Sequence, residues 1–200
     1  LDYVSPLTIG KIVRMKETWF IGIAYGVFYM ITVGLISQLL PRLISLEYDN
    51  ETALAFVTFA ALFGCFGSYF WGVLDQMLTT RKASIVYGLW YLATLALQCL
   101  PFTRTTTVLS IFMIGFGLGG IGNLGSSIVA TKFGRHDFVR AWGVIFPIMS
   151  VLRSCAYVLL SLGLSVLGGY QGAYLLFLIV DVIAIALLWK LDDHCVGTFL

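Results

Sequence analysis

Charge is what this sequence has least of. Only 11% of its 200 residues are Asp, Glu, Lys or Arg, against about 25% in an ordinary globular domain. The net charge is +2, and no basic patch is continuous, which excludes a nucleic-acid partner. Histidine is nearly absent, and neither His136 nor His194 has a metal-ligand companion in the sequence. The cysteines Cys65, Cys99, Cys155 and Cys195 form no CxxC pair, so zinc and thioredoxin-like sites lack support and the thiols read as small hydrophobes. No Ser-His-Asp set falls at one depth of the chain's apolar segments. The reading is therefore not an enzyme, and it implies no metal and no cofactor. The start, at Leu1, does not read as a signal peptide, because the first apolar run begins near Trp19, after Lys11, Arg14 and Lys16. That opening reads as a fragment or a processed chain.

Hydrophobic residues, by contrast, make up 60% of the chain, and the mean hydropathy is +0.96. A chain so apolar cannot cover its own core with polar surface in water, so its solvent is the lipid bilayer. A helix needs about 20 mostly apolar residues to cross one. Such runs recur at Thr18–Leu40, Ala53–Leu74, Ser84–Leu100, Val108–Ala130, Ala141–Leu164 and Ala173–Trp189. None alternates as a barrel strand would. The breaks carry turn or charge signals: Pro41-Arg42 to Glu51, Asp75 to Lys82, Pro101 to Thr107, Lys132 to Arg140, and Gly168-Gly169. The expected fold is an all-α transmembrane bundle of six helices over residues 18–190, between a loop segment 1–17 and a tail 191–200.

The cations sort by side in that arrangement. Lys11, Arg14, Lys16, Arg81, Lys82, Lys132, Arg135, Arg140 and Lys190 fall on one side, Arg42 and Arg104 on the other, and Arg153 within a span. The positive-inside rule places both termini in the cytoplasm of a multi-pass protein of the cell membrane. The opposite loop, with Glu47, Asp49 and Glu51, is acidic.

An ionisable side chain at the bilayer centre costs at least about 2.5–3.5 kcal/mol on insertion scales. Arg153 lies twelve residues into its run, roughly 18 Å deep at the helical rise. Phe146, Ser150, Tyr157 and Ser161 share its face at helical spacing. Such a stripe should border a water-filled cavity, where a guanidinium suits a carboxylate. The alternative is an internal ion pair with Asp181, which lies about one helical turn away in depth. Asp181 is otherwise a proton carrier. Tyr25, Tyr29 and Thr32 share a face of the first helix and are candidate cavity-lining groups. Tyr87, Tyr91, Thr94 and Gln98, on the third, are better read as packing.

Between Gly115 and Ser127 the sequence GFGLGGIGNLGSS contains a formal G-x-G-x-x-G at Gly117, Gly119 and Gly122. A dinucleotide fingerprint follows a strand, whereas these glycines sit inside an apolar run. Their role is close helix approach, Gly115 and Gly119 included. Asn123 is expected as a buried polar group awaiting a partner or ligand.

Three stretches carry a resemblance: GSYFWGVLDQMLTTRKAS around Asp75, TKFGRHDFVRAWGVIFP from Thr131 to Pro147, and the opening WFIGIAYGVFYMITVGLISQLLPRL. The first resembles the signature loop of major facilitator superfamily transporters, with Asp75 as the helix-end acid and Arg81 and Lys82 as the basic pair, although Leu78 or Thr79 stands where that family has Gly. The others resemble the oxalate/formate antiporter and monocarboxylate transporter-like branches. The resemblance implies the C-terminal six-helix half of a twelve-helix transporter working by alternating access, with the N-terminal half as its partner. It implies a small organic anion as substrate, with a coupled proton or counter-anion, and a cavity lined by the first, second, fourth and fifth helices. Arg153, Tyr157, Ser150, Tyr25, Tyr29 and Asn123 become substrate-binding candidates. Asp75, Arg81 and Lys82 become the conformational switch. The alternative is a self-contained six-helix protein that dimerises, as a transporter or a scaffold.

Overall fold

The computed structural model describes residues 7–100 and 103–196. Residues 1–6 of the expected leading segment, the Pro101 break and residues 197–200 of the tail lie outside the described residues. Helices account for the regular structure, and no strand occurs among the described residues. In chain order they are α1 (Ile9–Arg14), α2 (Lys16–Ser45), α3 (Asn50–Met77), α4 (Thr80–Cys99), α5 (Arg104–Leu118), α6 (Gly120–Phe133), α7 (Phe138–Ser154), α8 (Ala156–Val166) and α9 (Tyr170–Trp189). Two pairs run on from each other, α5 into α6 across Gly119 and α7 into α8 across Cys155. Five segments are long and apolar enough to cross a membrane: α2, α3, α5–α6, α7–α8 and α9. The fold is thus a helical bundle of membrane character. α4 has the length but a polar tyrosine- and threonine-bearing face, so it stands outside that group.

The helix ends follow local chemistry. Asp49 caps α3 by accepting the Thr52 N–H at 2.9 Å, and Thr79 and Thr103 cap α4 and α5. Side-chain oxygens take up amide protons that have no partner inside the helix. Hydrogen bonds from the Thr52 hydroxyl, then its N–H, hold the Asp49 carboxyl below its ordinary range. Gly168 and Gly169, at φ 81° and 118°, make the turn into α9 with backbone that other residues rarely adopt. The helices run a few residues into the expected breaks, most clearly at Pro41, which does not end its helix: α2 continues to Ser45. Proline removes only its own internal hydrogen bond, and the turn beyond it still closes from the Leu46 N–H to the Arg42 carbonyl at 3.2 Å.

α2 is the central column, packed on α7 and α9, while α3 packs along α5 and α4 along α9. The glycines set the closest approaches. A Cβ on Gly115 would meet the Ala60 carbonyl oxygen at 2.2 Å, and one on Gly67 would meet that of Phe116 at 2.1 Å. The α3 and α5–α6 backbones therefore touch, as the small-residue run implies. Trp71 fastens this seam, its indole N–H donating to the Phe116 carbonyl at 3.1 Å.

Candidate functional site

The two interrupted columns meet at an open cavity of ≈ 300 Å³. α2 contributes Tyr29, Thr32, Val33, Ile36 and Ser37; Leu118 and Ile121 flank the Gly119 break; Arg153 and Tyr157 flank the Cys155 break. At Cys155 the backbone N–H turns back to the Leu152 and Arg153 carbonyls, a tightened turn that re-aims the chain beside the guanidinium. Val33, Ile36, Leu118 and Ile121 give the cavity an apolar lining, and Arg153, Tyr157, Tyr29, Thr32 and Ser37 its polar groups.

Arg153 is exposed on this face, with its Cζ 6.0 Å from the Tyr29 ring centroid. Among the described residues only two ion pairs occur, Arg81–Asp193 and Arg140–Asp137. The ion pair with Asp181, the alternative reading of Arg153, is therefore not formed. Asp181 is completely buried, and neither of its carboxylate oxygens has a hydrogen-bond partner. The reason is rotational. Arg153 looks out of the bundle toward the cavity, whereas Asp181 follows Phe177 by one turn on the face of α9 that packs into α2, since a Cβ on Gly34 would strike the Phe177 ring.

Other candidates divide. Tyr29 and Tyr157 reach the cavity. Tyr25 does not: it is fully buried and its hydroxyl lies 2.5 Å from Ser84 Oγ on α4. Ser150 is half-buried and outside the cavity lining. Asn123 is exposed rather than buried, and its amide donates to the Ser68 carbonyl at 3.0 Å and to Ser68 Oγ at 2.9 Å. α3, the second apolar run, contributes no lining residue. The α4 groups pack, as expected: Tyr87, Tyr91, Thr94 and Gln98 are all buried. Within them runs a hydroxyl chain that sequence spacing did not reveal, because its links cross between helices. Thr32 Oγ1 and Tyr91 Oη are 2.5 Å apart, Tyr87 lies 3.1 Å from Tyr91, and Tyr87 donates to the Gly117 carbonyl at 2.7 Å.

At the end of α3, Asp75 accepts a hydrogen bond from the Ser127 hydroxyl at 2.5 Å, and its second oxygen has no partner. The basic pair beyond it splits. Lys82 is exposed, while Arg81 pairs with Asp193 at 3.3 Å. Beside it the buried Lys132 donates to the Asp192 carbonyl, and the Val196 N–H donates to the Lys132 carbonyl at 2.7 Å. Residues after α9 thus fold over the ends of α4 and α6. Among the described residues no group of three or more His, Cys, Asp or Glu side chains is placed to hold a metal ion.

No family model matches the sequence, and no curated protein matches it significantly.

Proposed function

We propose that the chain is the C-terminal six-helix half of a secondary transporter that moves a small, monocarboxylate-like organic anion by alternating access. In this reading α4 is the sixth spanning column, both termini face the cytoplasm, and a second six-helix half closes over the Arg153 face. One observation carries the proposal: Arg153 stands in an open cavity without an acidic partner, between two interrupted helices and beside an apolar lining. A cation kept at membrane depth without a counter-charge is costly, and an anionic ligand supplies the missing charge. The guanidinium fork takes the carboxylate, and Val33, Ile36, Leu118 and Ile121 take the hydrocarbon. Interrupted helices at a central site are a recurring feature of alternating-access transporters.

The test is carboxylate binding and uptake by the whole protein in liposomes. Truncating one side of a buried charged contact costs about 2–5 kcal/mol, which is roughly thirty- to several-thousand-fold in affinity. Arg153→Gln should show a loss of that size while remaining folded, and Arg153→Lys should retain part of the function because the charge survives without the planar fork. Adding Asp181→Asn to Arg153→Gln should restore nothing, because the two side chains are not paired. Recovery of uptake in that double variant would refute the binding role. Full activity in the absence of any second half would instead favour a dimer of this chain.

A further inference from the structure

Asp181 has no role in the cavity just described, yet it is the most anomalous side chain in the bundle. It is completely buried, and both carboxylate oxygens lack partners. Its level can be read from its neighbours. A Cβ on Gly88 of α4 would meet Ile185, and one on Gly34 of α2 would meet Phe177. α9 runs antiparallel to both helices, so one turn from each contact brings Asp181 level with Tyr91 and Leu92 on α4 and with Met30 and Ile31 on α2, next to Thr32.

The hydroxyls of Tyr91 and Thr32 are the ones already joined at 2.5 Å, and Thr32 also lines the Arg153 cavity. A continuous polar route therefore leads from the cavity, through Thr32 and Tyr91, to the level of the buried carboxyl. Apolar residues surround that route on α9, with Phe177, Ala184 and Leu188 all buried.

We infer that Asp181 is a proton-binding site within the membrane, loaded and unloaded from the Arg153 cavity through the hydroxyls of Thr32 and Tyr91. In the loading step a hydronium in the cavity gives a proton to the Thr32 oxygen. Thr32, whose hydroxyl otherwise donates to the Phe28 carbonyl at 2.8 Å, turns and releases its own proton to Tyr91, and Tyr91 releases one toward the Asp181 carboxylate, which becomes a neutral acid; a water or a side-chain rotation closes the last gap. Each hydroxyl ends as it began, and the net change is one proton moved. An unpartnered carboxylate buried in apolar surroundings favours its uncharged form, so this place accepts a proton more readily than a lasting negative charge. The titratable groups facing it are few. On the helices packed against α9 they are Tyr87 and Tyr91 of α4, Tyr25 and Tyr29 of α2, and Tyr157 of α8. The charged residues of α2 (Lys16, Glu17, Arg42) and α4 (Arg81, Lys82) lie near the helix ends, and α8 carries none.

The proton site itself is independent of the transport reading, but its coupling to carboxylate movement rests on that reading, so two measurements are needed. Infrared spectra of the whole protein in lipid should show a protonated-carboxyl carbonyl band that fades on alkaline titration and is missing from Asp181→Asn. In heavy water, Tyr91→Phe and Thr32→Val should slow the isotope shift of that band. Absence of the band from the wild type, or a band that does not respond to pH, overturns the proposal. In liposomes, Asp181→Asn should lose carboxylate accumulation driven by a proton gradient yet keep carboxylate-for-carboxylate exchange, and Asp181→Glu should recover accumulation. Proton-driven accumulation that survives in Asp181→Asn also overturns it. A wild type without any carboxylate exchange would instead refute the transport reading, while the infrared titration still decides Asp181.

Discussion

Replacing Gly119 with Ala would place a methyl carbon 2.0 Å from the Gly64 carbonyl oxygen, 2.3 Å from the Ser68 nitrogen and 2.9 Å from the Gly67 carbonyl carbon. Ordinary contact begins at 3.4 Å, so the nearest approach falls well short of it. All three atoms belong to the α3 backbone, and no rotamer can relieve the clash. α3 and α5–α6 must separate, which also loosens Gly115 against Ala60 and stretches the Trp71 hydrogen bond to Phe116. Overpacking of this kind costs about 1–3 kcal/mol, and a lost hydrogen bond adds about 1 kcal/mol. The better helix propensity of Ala returns about 1 kcal/mol, so the net destabilisation is about 1–3 kcal/mol. Gly122→Ala is the matched control, three residues along α6 with nothing within 4 Å of its new methyl. It should be neutral or stabilising by up to about 1 kcal/mol. Thermal unfolding in detergent, followed as the loss of monodisperse protein on gel filtration, should rank Gly122→Ala above wild type and Gly119→Ala well below it. A Gly119→Ala protein that melts with the control would refute the backbone contact between α3 and α5–α6.

Asp75→Asn should alter transport turnover more than equilibrium carboxylate affinity, with Ser127→Ala shifting turnover the same way because it removes the same hydrogen bond. An unchanged turnover with a large fall in affinity would contradict a switch role. Cysteines introduced at Asp49 and Thr105 should label from outside intact cells and one at His136 only after permeabilisation; external labelling at His136 would reverse the orientation. The Asp49 carboxyl titrates lower in the folded chain than in the unfolded one, so its contribution to stability is present above about pH 4 and is lost as pH falls through the folded value. Asp49→Asn keeps the cap without the charge, and its acid unfolding curve should lack that component; identical curves would refute the capping charge.

The long helices are legible in the sequence because in lipid each backbone N–H and C=O must be satisfied within its own segment, so run length alone announces them. The close approach at Gly115 and Gly119 is equally local: only a missing side chain permits it, and the missing side chains are visible in the letters. The site residues are a different matter. Tyr25 and Tyr29 stand one turn apart on one helix, yet one is locked against Ser84 and the other opens on the cavity, because Ser84 of α4 lies at the level of Tyr25 and the cavity opens one turn further along α2. Asn123 looked like a buried group, but its face of α6 is exposed and Ser68 partners it across from α3. Arg153 and Asp181 lie within about one helical turn of each other in depth, and depth is all that residue counting along a helix supplies. Whether two charges meet depends on azimuth, which follows from how α7 and α9 each pack on α2. Packing turned the guanidinium out to the cavity and the carboxyl into the apolar seam with α2 and α4.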